Sequence, residues 1–245
     1  MKEFPSQNQR YNQQRAWPPQ DAFGAMQTPT AQHATVAERM SFVRKVYALF
    51  FAATLFAIGG VAIGMSSMEL MQAIASHPWI TLLLLIGGVW GAEAVRHVRG
   101  VNLVALFGFT TLTGVIISPL MFIVSQRNPA SILQAGVLTV GIFGALTAYV
   151  FISKRDFSFL RGMVTVGLVV VVLAALLNMF MASSALGFGI AAASLLLFSG
   201  FVLYDTSNII RRYPTNEYVA GALSLYLDAF NIFLALIRLL NAGRR

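Results

Sequence analysis

YVAGALSLYLDAFNIFLALIRLL, residues 218–240, decides how this chain is read. Its length suits the roughly 20 apolar residues that carry a helix across a ~30 Å hydrocarbon layer. Yet it holds Asp228, Asn231 and Arg238. At 100° per residue, Gly221, Ser224, Asp228, Asn231, Ala235 and Arg238 fall within about 100° of one another. Small and polar residues thus form one stripe on an otherwise bulky apolar cylinder. Asp228 lies about ten residues in, ~15 Å along the axis, which is close to the bilayer midplane. A charge there costs at least ~2.5–3.5 kcal/mol on insertion scales, so the carboxyl needs a partner, a wet cavity or a proton. Such a helix belongs among other helices, with its seam lining a cavity.

The rest of the chain supplies those helices. Of 245 residues, 57% are apolar and 11% charged, against roughly 25% charged in an ordinary soluble domain. A soluble enzyme needs a polar shell that these charges could not supply, and a disordered chain needs a far lower apolar fraction. Charge-free runs occur at Val46–Met68, Leu70–Ala92, Gly100–Gln126, Asn128–Ser153 and Gly162–Tyr204. The first four fit one helix each. The fifth fits two, separated at the Gly/Ser-rich stretch Ala182–Gly189. The expected fold is an all-α polytopic membrane protein with seven spans, near 44–64, 79–96, 101–124, 132–152, 162–181, 187–210 and 218–240. Runs such as Thr81–Ile86 and Leu168–Leu177 lack the alternation of a barrel strand, and a continuous apolar run satisfies its backbone in lipid only as a helix. Gly60 and Gly64 form a GxxxG that reads as a close helix contact. Pro119 should kink or end the third span. The chain has no cysteine, which removes disulfides and thiol chemistry.

Basic residues set the orientation. Arg39, Arg44 and Lys45 flank the first span, Arg96 and Arg99 lie after the second, Lys154, Arg155 and Arg161 after the fourth, and Arg211 and Arg212 after the sixth. The opposite loops hold only Arg127, so the N-terminus is expected in the cytoplasm. Arg238, Arg244 and Arg245 run against that bias, and seven crossings would place them outside. The net charge of +8 is accounted for mainly by span flanks, and no RNA- or DNA-binding motif accompanies it, so no nucleic-acid partner is expected. Residues 1–38 are rich in Gln and Pro without apolar periodicity and read as a disordered cytoplasmic tail, leaving 39–245 as the membrane domain.

A second aspartate stands just inside the cytoplasmic interface. Asp205 precedes Arg211 and Arg212 in the sixth span, and each aspartate is followed three residues later by asparagine, as Asp205–Asn208 and Asp228–Asn231. That spacing puts each pair on one helix face. The repeat suggests one shared polar site, with Ser224 beside it. Two carboxyls out of water resist carrying two charges, so the pair should titrate in two coupled steps. It can share a proton, bind a hard cation through oxygen, accept an arginine or serve as a structural polar clasp. Arg96, at the cytoplasmic end of the second span, is the best-placed arginine, while Glu93 lies about one turn from it and Glu69 falls in the outer loop.

The strings LYDTSNII and LSLYLDAFNIFLALIRLL, with TAYVFISKRDFSFLRGM upstream, resemble the Bax inhibitor-1 (transmembrane BAX inhibitor motif) family across Arg39–Leu240. The short loop after DTSNII is most similar to the bacterial branch that includes the modulator of the FtsH membrane protease. The resemblance implies six helices around a central C-terminal one. It also implies a pH-sensitive calcium leak governed by the positions that Asp205 and Asp228 occupy, with Arg96 where the family has a latching basic residue. In that scheme the ionised pair holds Arg96 and closes the pore, and protonation opens it.

Two functions follow. One is a passive, proton-sensitive calcium leak of a bacterial inner membrane, with Asp205 and Asp228 as pH sensor and transient Ca2+ ligands, Arg96 as latch, and Ser224, Asn208 and Asn231 in support. The other is a non-transporting modulator that binds an FtsH-type protease through the tail. No enzyme activity and no resident cofactor are expected. Asp228 follows Tyr226 and Leu227 rather than the Gly-x-Gly of membrane aspartyl proteases, and no lysine lies within a span to hold a retinal.

Overall fold

A computed structural model describes residues 29–98 and 100–242. Eight helices follow one another in chain order: α1 Val36–Met65, α2 Met68–Ser76, α3 Pro78–Ala94, α4 Val101–Arg127, α5 Ala130–Ser153, α6 Leu160–Met181, α7 Ser184–Arg211 and α8 Tyr218–Ala242. Among the described residues the one β contact is an isolated bridge between Thr30 and Pro214. Six helices are long and apolar enough to cross a membrane, and α2 with α3 makes a seventh if that pair, bent by 92°, counts as one span.

The bend has a local cause. Ser67 caps α2 by accepting from Leu70 N–H at 3.2 Å, which restarts a helix where a plain loop was expected. His77 then leaves the helix at φ −123° and ψ 62°, because the residue before a proline avoids helical geometry, and Pro78 opens α3 at a position that needs no N–H. At 17 residues α3 is ~25 Å long, slightly under the hydrocarbon thickness. At the other interruption, the break is confined to Ala182 and Ser183: Ala182 takes the left-handed conformation, and Ser183 caps α7 through Leu186 N–H at 3.3 Å. Helix α4 runs through Pro119 to Arg127 rather than ending there.

The C-terminal helix is central, as expected. Of the apolar window of α8, 61% is buried, against 6% for α6. Helices α1, α4, α5 and α7 pack directly on α8, while α3 rests on α4 and α6 on α7. The ring around α8 therefore consists of four helices with two flanking ones. Helices α1 and α4 form the most extensive pair. Their glycines explain the closeness: a Cβ at Gly60 would stand 2.1 Å from Thr111 O, and one at Gly114 2.0 Å from Ala57 O.

Of the expected tail, residues 29–38 fall in the described part and are ordered into a docked segment and the start of α1. Residues 1–28 lie outside the described part, as do Arg99, Arg244 and Arg245 of the orientation argument. Pro29–Ala34 is docked on the loop between α7 and α8. Ala31 N–H donates to Tyr213 O at 2.9 Å, Gln32 N–H to Arg211 O at 3.2 Å, and Thr215 N–H to Pro29 O at 3.2 Å. Ala31 is fully buried there. Thr35 then starts α1 with a reciprocal cap, accepting from Glu38 N–H while the Glu38 carboxylate accepts from Thr35 N–H at 2.9 Å.

Candidate functional site

Asp228 sits midway along α8 and is 3% exposed. Its Oδ2 has no hydrogen-bond partner among the described residues. Asp205 is half-buried near the end of α7. Helices α7 and α8, which carry the two aspartates, pack side by side.

The supporting residues divide. Asn231 does not reach a carboxyl: its amide donates to Leu227 O at 2.8 Å, one turn back in its own helix. Asn208 stays within reach of Asp205, but its Oδ1 accepts from Arg212 Nη1 at 3.0 Å. Ser224, one turn before Asp228, meets the Tyr213 hydroxyl at 3.2 Å. Tyr213 lies in the loop held by Pro29–Ala34. Its phenol is pushed up to about 12, first by burial and further by the charges of Asp205, Glu93 and Glu217, with the Ser224 hydrogen bond opposing. It is therefore a neutral hydroxyl at physiological pH, held at Ser224 one turn before Asp228.

Arg96 does not latch the pair in this arrangement. Its guanidinium forms an ion pair with Glu93 on the same turn of chain, and Nε donates to His97 Nε2 at 2.9 Å. The i,i+3 carboxylate is simply nearer than the distant one. With Nε2 accepting, His97 carries its proton on Nδ1, which faces Glu217 Oε1 at 3.6 Å. Arg212 pairs with Asp156 at 2.7 Å, bridging the start of the α7–α8 loop to the α5–α6 loop. That contact, with a Ser158 N–H bond as the larger cause, holds the Asp156 carboxyl below its ordinary range. Among the described residues no ion pair involves Asp205 or Asp228.

Further buried polar atoms lack partners: the hydroxyls of Tyr47, Ser118, Thr147 and Thr206. Tyr47 of α1, Thr147 of α5 and Thr206 of α7 lie near one another without reaching hydrogen-bond geometry, and Thr206 adjoins Asp205. Nearly all buried polar groups find a partner, so such a group in a bundle interior marks a place for water or a passing ion. Two carboxylates and these hydroxyls fall short of the six to eight oxygens of a resident calcium site. No group of three His, Cys, Asp or Glu suited to a metal occurs among the described residues. The donor set suits transient contact with a cation.

Tyr213, His97, Glu217 and the Tyr47–Thr147–Thr206 group were outside the reach of the sequence reading. Each is a loop residue or a lone hydroxyl on an apolar helix, without periodic signal. The one available cue was Tyr213 before Pro214, a turn signature beside Arg211 and Arg212.

The family model described as "Inhibitor of apoptosis-promoting Bax1" matches residues 39–245. Mouse "Protein lifeguard 4" is 32% identical over 212 residues, 85% of this chain and 88% of that one. A Vibrio cholerae protein described as "Uncharacterized membrane protein" is 33% identical over 223 residues, covering 88% and 97%. The "Golgi anti-apoptotic protein" of Vaccinia virus strain Lister is 32% identical over 215 residues, covering 86% and 90%.

Proposed function

Because this chain belongs to the Bax inhibitor-1 family, we propose that it is a passive, proton-sensitive cation leak in which Asp205 and Asp228 form the ion-handling step and calcium is the permeant ion. The carrying observation is the unpartnered Oδ2 of a 3% exposed aspartate in the central helix, packed against the helix that carries the second aspartate. A folding clasp would satisfy that oxygen. A step that exchanges a proton for a cation needs it free. Ionised, the pair draws a divalent cation out of water. Protonated, it releases one.

Arg96 enters as an alternating partner. Arg96 is held here by Glu93 at the loop end of the bundle, the end at which α7 also finishes. Ionisation of the pair draws Arg96 inward and closes the near end, and protonation returns it to Glu93. The basic loops of that end face the cytoplasm of a bacterial inner membrane, and no catalysis is involved. Calcium flux into dye-loaded liposomes across pH 5–8 tests this reading. Asp205→Asn and Asp228→Asn should flatten the pH profile, and an unchanged profile in both would end it.

A second reading, restraint of an FtsH-type membrane protease without transport, draws on the docked Pro29–Ala34 segment. A partner gripping residues 1–28 would pull on the loop that carries Tyr213. Deleting 1–28 should then abolish co-purification with the protease, and retained binding would count against the tail as the contact.

A further inference from the structure

Where α7 begins and α8 ends, at the far end from the aspartate pair, a cavity of about 610 Å3 opens between α4, α6, α7 and α8. That volume is within the usual range for a ligand site. Its walls are of two kinds. Leu120, Met179, Ile190 and Ile237 make an apolar side, and Arg238, Asn178 and Ser184 bring hydrogen-bond donors. Among the described residues no acidic one lines it. Arg238 is exposed to this space and has no carboxylate within ion-pair distance among the described residues.

The place of Arg238 decides what it meets. It lies four residues before the end of α8, or ~6 Å along the axis, which is the depth at which a spanning helix passes the headgroup boundary. A guanidinium there, with no carboxylate among the described lining residues, is matched by an oxyanion that accepts through two oxygens, and the phosphate of a bilayer lipid is one. The donors around it repeat that preference. Asn178 Oδ1 is taken by Ser183 N–H at 3.1 Å, which leaves its NH2 as the outward group. Asn241, by contrast, spends its amide on Ser131 and Ile237 and takes no part. The apolar wall beside these donors fits an acyl chain and not a free ion.

We propose that this cavity is a binding site for an anionic phospholipid, its phosphate on Arg238 and its acyl chain along the apolar wall. The site is separate from the aspartate pair, and its occupancy does not depend on whether the chain conducts ions. The lipid supplies the counter-charge that the described lining of the cavity lacks.

Native mass spectrometry of the full-length, delipidated protein tests it, with phosphatidylglycerol, phosphatidylcholine and inorganic phosphate as probes. Phosphatidylglycerol should bind more tightly than phosphatidylcholine. Arg238→Gln should weaken it about tenfold or more, the equivalent of one charged hydrogen-bonded contact, with Arg238→Lys recovering part of the loss. Arg127→Gln, at the same end but outside the cavity, should bind as the parent does. Ala175→Phe, which fills the apolar side and keeps the charge, should lower lipid binding too. Circular dichroism and monodisperse elution establish that each variant folds. Undiminished phosphatidylglycerol binding by folded Arg238→Gln, equal binding of phosphatidylcholine, or displacement of the lipid by an equal concentration of inorganic phosphate would each overturn the proposal.

Discussion

Helices α6 and α8 are both apolar enough to span a bilayer, yet they sit in opposite places. In α6 the long run from Val164 to Leu177 has no charged side chain, and 6% of its window is buried. In α8 the run is broken by Asp228, Asn231 and Arg238, and 61% is buried. A soluble protein would sort them the other way. In lipid, apolar surface gains nothing by hiding, so the helix with polar groups to shelter takes the centre and the purely apolar one faces the chains. Polarity therefore marks the inside of this molecule.

The strongest way to break that contrast is to enlarge the interior. Gly114→Leu would drive a side chain into Ala57 O, and no folded, monodisperse protein should be recovered. Gly162→Leu on α6 meets nothing within 4 Å and should leave elution and thermal unfolding close to the parent. Recovery of folded Gly114→Leu would show that the α1–α4 contact is slack.

A smaller effect comes from moving the acid. Val169 on α6 is 54% exposed, and Val169→Asp should cost ~2.5–3.5 kcal/mol in a membrane unfolding assay. Asp228→Leu should do the reverse, raising stability by ~1–3 kcal/mol because an unsatisfied buried carboxyl is removed, while calcium flux is lost. If Asp228→Leu destabilises instead, the carboxyl is a clasp and the leak reading loses its main support.

The smallest effect sharpens the contrast at the surface. The Asp156–Arg212 pair is 44% and 45% exposed, so Asp156→Asn should change stability by less than ~1 kcal/mol. The Asp156 carboxyl is held low, so its contribution is fully present above the ordinary carboxylate range and is lost only as pH falls below it. Flux measured between pH 5 and 8 should keep its pH midpoint in this variant. A shifted midpoint would move the sensor from the interior to the loops.

Much of this was legible from the chain. Apolar runs gave the helices because the bilayer imposes their length, and the seam of residues 221–238 placed α8 at the centre because a polar stripe cannot face lipid. The side-by-side packing of the two helices that carry Asp205 and Asp228 fits their order as consecutive spans. At Arg96 the spacing to Glu93 was legible, and the structure pairs it with that neighbour rather than with the distant aspartates that the resemblance implies. The 92° bend came from a serine cap and a proline acting together. The docking of Pro29–Ala34 uses backbone groups, which carry no trace in side-chain composition.

The central position of α8 also bears on how the protein is made. Of the eight described helices it leaves the ribosome last. Until it arrives, Val46, Thr113 and Ile209 lack the residues they touch in the finished fold. The loop that delivers α8 is then fastened to the segment just ahead of α1, at Thr30 and Pro214. A chain stopped short of Tyr218 would be missing its axis rather than an edge, and the membrane would hold an empty ring.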